Sequence, residues 1–277
     1  MSECTHNCST CGESCGERTS PQSFLKKPHA DAHIGKVFGV VSGKGGTGKT
    51  SFTALVGSAL AEMGHRTLCL DCDVGLRNLD LALGMSDSAL MDFTDVIAGR
   101  ATLEQAAVRH PYGCRLYLLT APIGLHEDIR TSEMKRLLDE VRSRFDYCLI
   151  DSGAGLGDAF RLATCAADRA VVVATTDPTS LRDAQRTVME LRDYPNGRLH
   201  LVINRVRRKL LKALSSNIDD AIDAAGLPLL GVIPEDPDVP YCLNRGLVLR
   251  EQNYYAARAY ENIAKRIMGQ KTPLMKI

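Results

Sequence analysis

The sequence predicts an α/β protein: a doubly wound, mainly parallel sheet with helices on both faces. Three observations predict it. Short apolar runs rich in Val, Ile and Leu recur from Lys36 onward. Segments of helical length separate them, so the strands read as near-continuous apolar runs, the pattern of a parallel sheet covered on both faces. The chemistry-bearing clusters fall where the runs end, and ligands in such sheets sit at the carboxyl ends of the strands. Right-handed crossovers then give the doubly wound arrangement.

Taken in order, the first strand is expected over 36–42, around Val37-Phe38-Gly39-Val40-Val41, and a helix over 48–63, apolar-periodic from Ser51 to Met63. Strands follow over 66–72, 115–120 and 147–151, each a short apolar run ending in polar residues. Helices are expected over 132–144 and 157–166 on either side of the last of these. A strand over 170–175 leads to a helix over 180–192, and strands over 199–204 and 229–233 flank a helix over 216–225. A last helix, from about Tyr254 to Met268, carries Tyr255, Ala259, Tyr260, Ile263 and Ile267 at helical spacing, a core-facing stripe. The chain divides into a tail and linker over 1–35, a globular body over 36–268 and a short C-terminal tail over 269–277.

Composition narrows the function classes. The chain has 277 residues, a net charge of +1 and 44% hydrophobic residues, which suits a protein with a sizeable core and argues against bulk electrostatic binding of nucleic acid. No apolar run approaches the roughly 18 residues of a membrane-spanning helix, and the polar, Cys-rich start is no secretory signal. Of the ten cysteines, Cys69, Cys72, Cys148 and Cys165 lie in or beside apolar runs, where free Cys acts as a small hydrophobe. A reducing, cytoplasmic compartment is expected.

Between the first strand and first helix stands Gly43-Lys44-Gly45-Gly46-Thr47-Gly48-Lys49-Thr50, followed by Ser51. Strand, glycine loop and helix in this order form a phosphate-binding loop, the mark of a P-loop NTPase. The glycines let backbone N–H groups approach an anion, and the helix N-terminus adds positive potential. Lys49 is expected to reach the β- and γ-phosphates and the Thr50 hydroxyl to hold Mg²⁺. The second strand ends in Asp71-Cys72-Asp73-Val74-Gly75-Leu76-Arg77-Asn78-Leu79-Asp80, and the fourth in Asp151-Ser152-Gly153-Ala154-Gly155. Carboxylates at these places either orient metal-bound or attacking water or serve as ordinary turn and cap residues. An Asp closing an apolar strand, as Asp151 does, is the Walker B arrangement.

These residues carry a family resemblance. Lys44 inside Lys-Gly-Gly-Thr-Gly-Lys-Thr is the deviant Walker A signature of the MinD/ParA class of ATPases, and the 71–80, 151–155 and Gly231–Asp236 segments resemble its MinD-like branch. The similarity runs from about Lys36 to Met268. The resemblance implies binding and hydrolysis of ATP with Mg²⁺, and a homodimer that forms on ATP and acts as a spatial switch in division-site placement or a related positioning task. It implies that Lys44 crosses the dimer interface to the partner's phosphates, as an arginine finger does. Asp73 becomes the switch carboxylate that helps position water, and Asp151 the Walker B residue near the metal. Asn204, in Ile203-Asn204-Arg205, matches the adenine-reading position, with a strand-end cap as the other reading. Pro234-Glu235-Asp236 is expected along the other side of the base, and 176–183 near the interface. An unidentified protein activator is implied, and turnover without it should be slow.

Two segments depart from that branch. The family ends in an amphipathic membrane-binding helix, whereas here 269–277 contains Gly269 and Pro273 within nine residues, too short for an independent interfacial helix. The expectation is at most a weak, transient peripheral contact through the lysines, Leu274, Met275 and Ile277. At the other end, Cys4, Cys8, Cys11 and Cys15 place four thiols within twelve residues, with His6 among them. Such spacing suits an iron–sulfur cluster such as 4Fe-4S, or Zn²⁺, or it is a metal-free tail. The tail resembles the N-terminus of Mrp-type iron–sulfur carriers, although their later Cys-x-x-Cys pair is absent, Cys242 being the only cysteine in the last hundred residues. The leading reading is therefore an ATPase switch. A cluster carrier or sensor and a non-catalytic nucleotide-dependent scaffold are the alternatives.

Overall fold

The computed structural model describes residues 35–74, 76–86, 88–111, 115–124, 129–195, 197–207, 222–223, 225–246 and 255–274. The chain runs β1 (Lys36–Val41), α1 (Lys49–Glu62), β2 (Thr67–Asp71), α2 (Leu79–Ala82), α3 (Phe93–Ile97), α4 (Leu103–Ala106), β3 (Val108–Arg109) and β4 (Leu116–Leu119). It continues through α5 (Thr131–Arg144), β5 (Tyr147–Asp151), α6 (Asp158–Thr164), β6 (Arg169–Ala174), α7 (Pro178–Glu190), β7 (Leu199–Val206), β8 (Leu229–Pro234), α8 (Asp238–Leu243) and α9 (Tyr255–Ile267). The strands form one eight-stranded sheet in the order β3-β4-β2-β5-β1-β6-β7-β8, with only β3 antiparallel to its neighbour. β1 lies near the middle, between β5 and β6, which brings its carboxyl end between those of β5 and β6.

Both faces of the sheet are covered, which is why the strands are apolar throughout. Phe38 and Val40 of β1 pack with Phe52, Leu55 and Leu60 of α1 and with Tyr260 and Ile263 of α9. Val37 of the same strand turns the other way, to Met134, Leu138 and Val141 of α5 and Leu162 of α6. Val172 and Ile203 carry that second face on to Ala184 of α7. The period of two in β1 thus separates α1 and α9 from α5, α6 and α7.

The expected class and the seven expected strands are present, with bounds that differ by a few residues. β3, α2, α3, α4 and α8 were not expected. Each is too short to show a hydrophobic period, and α3 and α4 owe their form to caps. Asp92 accepts from the Thr94 and Asp95 amides, and Gln105 and Thr102 satisfy each other's backbone N–H. The helix expected over 216–225 falls almost wholly outside the described residues. Among the described residues no helix is long and apolar enough to cross a membrane.

Candidate functional site

The loop between β1 and α1 holds its shape through Gly48 and Asn204. Gly48 caps α1 at φ 93°, ψ 32°, a left-handed conformation natural to glycine. The Asn204 amide at the carboxyl end of β7 donates to the Thr47 carbonyl over 2.8 Å. A Cβ at position 48 would come within 2.2 Å of that amide nitrogen. Asn204 is thereby engaged with the loop itself and also lines the larger cavity described below.

Under the loop, the buried Lys49 ammonium donates to Ser42 Oγ over 2.9 Å, and Ser42 Oγ donates to the Lys44 carbonyl over 2.7 Å. Burial pulls the Lys49 pKa down, while Asp151 and Asp73 act against that shift. The Thr50 hydroxyl donates to Asp151 Oδ2 over 2.6 Å, and Asp151 Oδ1 is buried with no hydrogen-bond partner. Burial, reinforced by Asp71, pushes the Asp151 carboxyl up to about 8. Asp73 sits beside this group: its Oδ1 would be 2.9 Å from a Cβ at Gly153. Its pKa is raised by burial, with Lys49 opposing.

Asp71 is the residue that sequence reasoning quoted without a role. It is the parallel register partner of Asp151. Its Oδ1 accepts from the Asp73 amide at 2.8 Å and its Oδ2 from the Leu79 amide at 3.2 Å, so it fixes both ends of the turn that carries Asp73. Burial raises its pKa to about 6. The Asp-x-Asp spacing was the available signal. Which strand lies beside β2 was not in the local sequence.

Lys44 points elsewhere. Its ammonium donates to Thr179 Oγ1 of α7 over 3.0 Å, and it lines a cavity of about 240 Å³ with Gly45, Gly46, Thr176 and Arg205. A larger cavity of about 550 Å³ lies on the other side of Arg205, lined by Ser51, Asn204, Arg205, Pro234, Glu235 and Asp236, with Leu243 and Tyr260 among its apolar walls. Arg205 reaches both cavities from a strained φ of 54° at an irregularity in β7. Glu235 is bidentate with Arg207. Asp236 accepts from the Asp238 amide and the Ala256 amide, each at 3.0 Å, so its carboxylate ties this wall of the cavity to α8 and α9.

The structure thus gathers Gly43 to Ser51, Asp73, Asp151, Asn204, Arg205 and Pro234–Asp236 at the carboxyl ends of the strands. The polar groups of Thr50, Asp73 and Asp151 are oxygen throughout, Asp151 Oδ1 is buried without a partner, and the Lys49 ammonium lies alongside. That set fits a hard divalent ion such as Mg²⁺ next to a polyphosphate. Cys4, Cys8, Cys11 and Cys15 lie outside the described residues, as do Met275 and Ile277. Among the described residues no group of three or more His, Cys, Asp or Glu is placed to hold a metal ion.

Residues 38–249 match the CobQ/CobB/MinD/ParA nucleotide binding domain. Over 246 residues the chain is 35% identical to the septum site-determining protein MinD of a Synechocystis species, covering 87% of this chain and 92% of that one. The same identity and coverage hold for the Bacillus subtilis protein of that name. Among solved structures, the fold superposes with a TM-score of 0.80 and 33% identity on a chain of the MinC:MinD cell division protein complex of Aquifex aeolicus, covering 87% of this chain and 98% of that one. For the septum site-determining protein MinD of Pyrococcus horikoshii complexed with Mg-ADP, the TM-score is 0.73 at 28% identity, covering 84% and 96%.

Proposed function

Since the chain belongs to the CobQ/CobB/MinD/ParA nucleotide-binding family, we propose that it is a MinD-like ATPase, a switch for division-site placement. It binds ATP with Mg²⁺, pairs with a second copy of itself in the ATP state, and separates after hydrolysis. The observation that carries the reading is the division of labour between the two loop lysines. Lys49 is buried against Ser42 under the loop, while Lys44 leans outward to Thr179.

The reaction is in-line attack of water on the γ-phosphate. Loop amides from Gly45 to Thr50 and the α1 N-terminus hold the phosphates, and Lys49 neutralises charge that grows in the transition state. Thr50 and Asp151 would hold a magnesium ion, directly or through water, and that ion would supply further neutralisation of phosphate charge. Asp73, fixed by Asp71 through its own amide, positions the attacking water. Asn204 and Arg205 face the adenine against the 234–236 segment. Lys44 leaves Thr179 and reaches the nucleotide of the partner subunit. A partner protein, of the kind named in the Aquifex MinC:MinD complex, reads the dimer.

Size exclusion with and without ATP, combined with phosphate release, tests this. Lys49→Ala should lose nucleotide binding. Lys44→Ala should keep binding, lose the ATP-dependent dimer and slow phosphate release by about 10²-fold or more, the scale of a lost charge-stabilising group. Unaltered dimerisation on ATP in both variants would overturn the reading.

The spacing of Cys4, Cys8, Cys11 and Cys15 supports a second, separate proposal, a cluster bound by the tail and governed by the same ATPase. Iron, sulfide and zinc analysis after anaerobic purification tests it. Absence of all three following reconstitution rejects it.

A further inference from the structure

Two helices that sequence reading missed meet end to end beside the site. α8 supplies Val239, Pro240 and Leu243 to the wall of the base-side cavity, followed by Asn244. The chain then turns at Gly246, whose amide bonds the Leu243 carbonyl. α2 ends likewise at Gly84, whose amide bonds the Leu81 carbonyl. Both glycines have positive φ, 66° at Gly84 and 61° at Gly246, and the two backbones touch. A Cβ on Gly246 would lie 2.1 Å from Gly84 Cα, and one on Gly84 would lie 2.8 Å from Gly246 Cα. Leu243 packs alongside, against Leu79, Leu83 and Met85.

α2 in turn begins at Leu79, whose amide is held by Asp71, the same carboxylate that holds the Asp73 amide. A continuous mechanical path therefore runs from the base-side wall through the Gly246–Gly84 contact and α2 to Asp73. It contains no flexible side chain at its narrowest point, where backbone meets backbone.

We propose that the Gly84–Gly246 contact is a positioning joint that couples purine recognition to turnover: a base seated against α8 fixes α2, and through Asp71 the turn that carries Asp73. The nucleobase is then read in kcat as well as in affinity. This rests on the reading of Asp73 as the water-positioning carboxylate.

Phosphate release is measured at saturating ATP and at saturating ribose 5′-triphosphate, which has the phosphates without the base. In the wild-type chain kcat for ATP should exceed that for the base-free probe by about tenfold, a typical coupling between two sites. Gly246→Ala drives a methyl into Gly84. It should bring that ratio close to one with KM for ATP changed less than about threefold. Gly99→Ala, also at positive φ but with open space around it, controls for backbone strain and should keep the wild-type ratio. A merely structural defect would lower both rates together and leave the ratio intact. If Gly246→Ala does not fold, Leu83→Val, which loosens the packing between α2 and α8, should lower the ratio in the same direction. A wild-type ratio near one, or a Gly246→Ala or Leu83→Val ratio equal to wild type, overturns the joint. Asp73→Asn separates the two readings. Normal phosphate release in that variant overturns the role of Asp73, whereas its loss together with an intact Gly246→Ala ratio overturns the joint alone.

Discussion

Asp151 accepts one hydrogen bond, from Thr50, while its other oxygen is buried and bare. Burial, reinforced by the neighbouring Asp71, pushes its carboxyl from the ordinary 3.8 up to about 8. A raised folded-state pKa lends stability that is fully present below the ordinary value and is lost as pH rises through the folded one. Nucleotide-free and magnesium-free protein should therefore lose stability between pH 5.5 and 8.5. Asp151→Asn keeps an acceptor for Thr50 and cannot ionise. Over that interval wild type should lose about 1–3 kcal/mol more than the variant in urea titrations, and phosphate release by the variant should fall below detection. Parallel pH slopes for the two proteins would show that Asp151 is ionised in the free site. The residue scale also divides what the sequence disclosed from what it hid. Gly48, Lys49 and Thr50 were legible because one local pattern demands them. Asp71 was not, because its role comes from standing opposite Asp151 in the sheet. The Asp236 carboxylate accepts from the amides of Asp238 and Ala256. An acidic residue before a helix that comes twenty residues later leaves no local trace of that contact.

At the scale of elements, β1 is fastened at its amino end by the residue that immediately precedes β6. Asp168 Oδ2 accepts from the Val37 amide over 2.7 Å, and Asp168 also takes the Arg142 guanidinium of α5 at 3.1 and 3.3 Å. Arg142 passes on to Asp139 and the Ala166 carbonyl. Three elements converge on one carboxylate that is partly open to solvent. Asp168→Ala leaves the Val37 amide and Arg142 without that acceptor and should cost about 1–3 kcal/mol in urea titrations. Phosphate release per folded molecule should stay within about twofold, because Asp168 lies at the amino end of β1, away from the loop. A larger fall in specific activity would mean that the tilt of β1 sets the loop. α5, α7 and α9 were readable because each buries a periodic stripe, and the strands because they are short apolar runs buried on both faces. β3 has two residues, α2 and α4 four each, and at that length no period exists. Thr102-x-x-Gln105 was nevertheless a readable capping box, and it marks the start of α4.

The parallel sheet also assigns the two ends of the molecule different tasks. The chain enters β1 at Lys36 and reaches the loop after six residues of strand, about 20 Å at the usual rise. α9 runs back from beside Asp236 toward the opposite edge, where Arg266 holds the Thr272 and Leu230 carbonyls. The described chain therefore begins at Gly35 and ends at Leu274 away from the loop. The rule that open α/β sheets bind ligands at the carboxyl ends made the site legible from pattern alone. No comparable rule governs what is attached at the far edge, so the output of the switch was not legible. The geometry predicts that the two are separable. Removal of residues 1–34, a cut made before Gly35 whose amide bonds the Arg142 carbonyl, should leave ATP-dependent dimerisation and phosphate release within about twofold of the full chain. Any iron or zinc found in the full chain should vanish with the cut. A tenfold fall in phosphate release would place the tail inside the ATPase cycle.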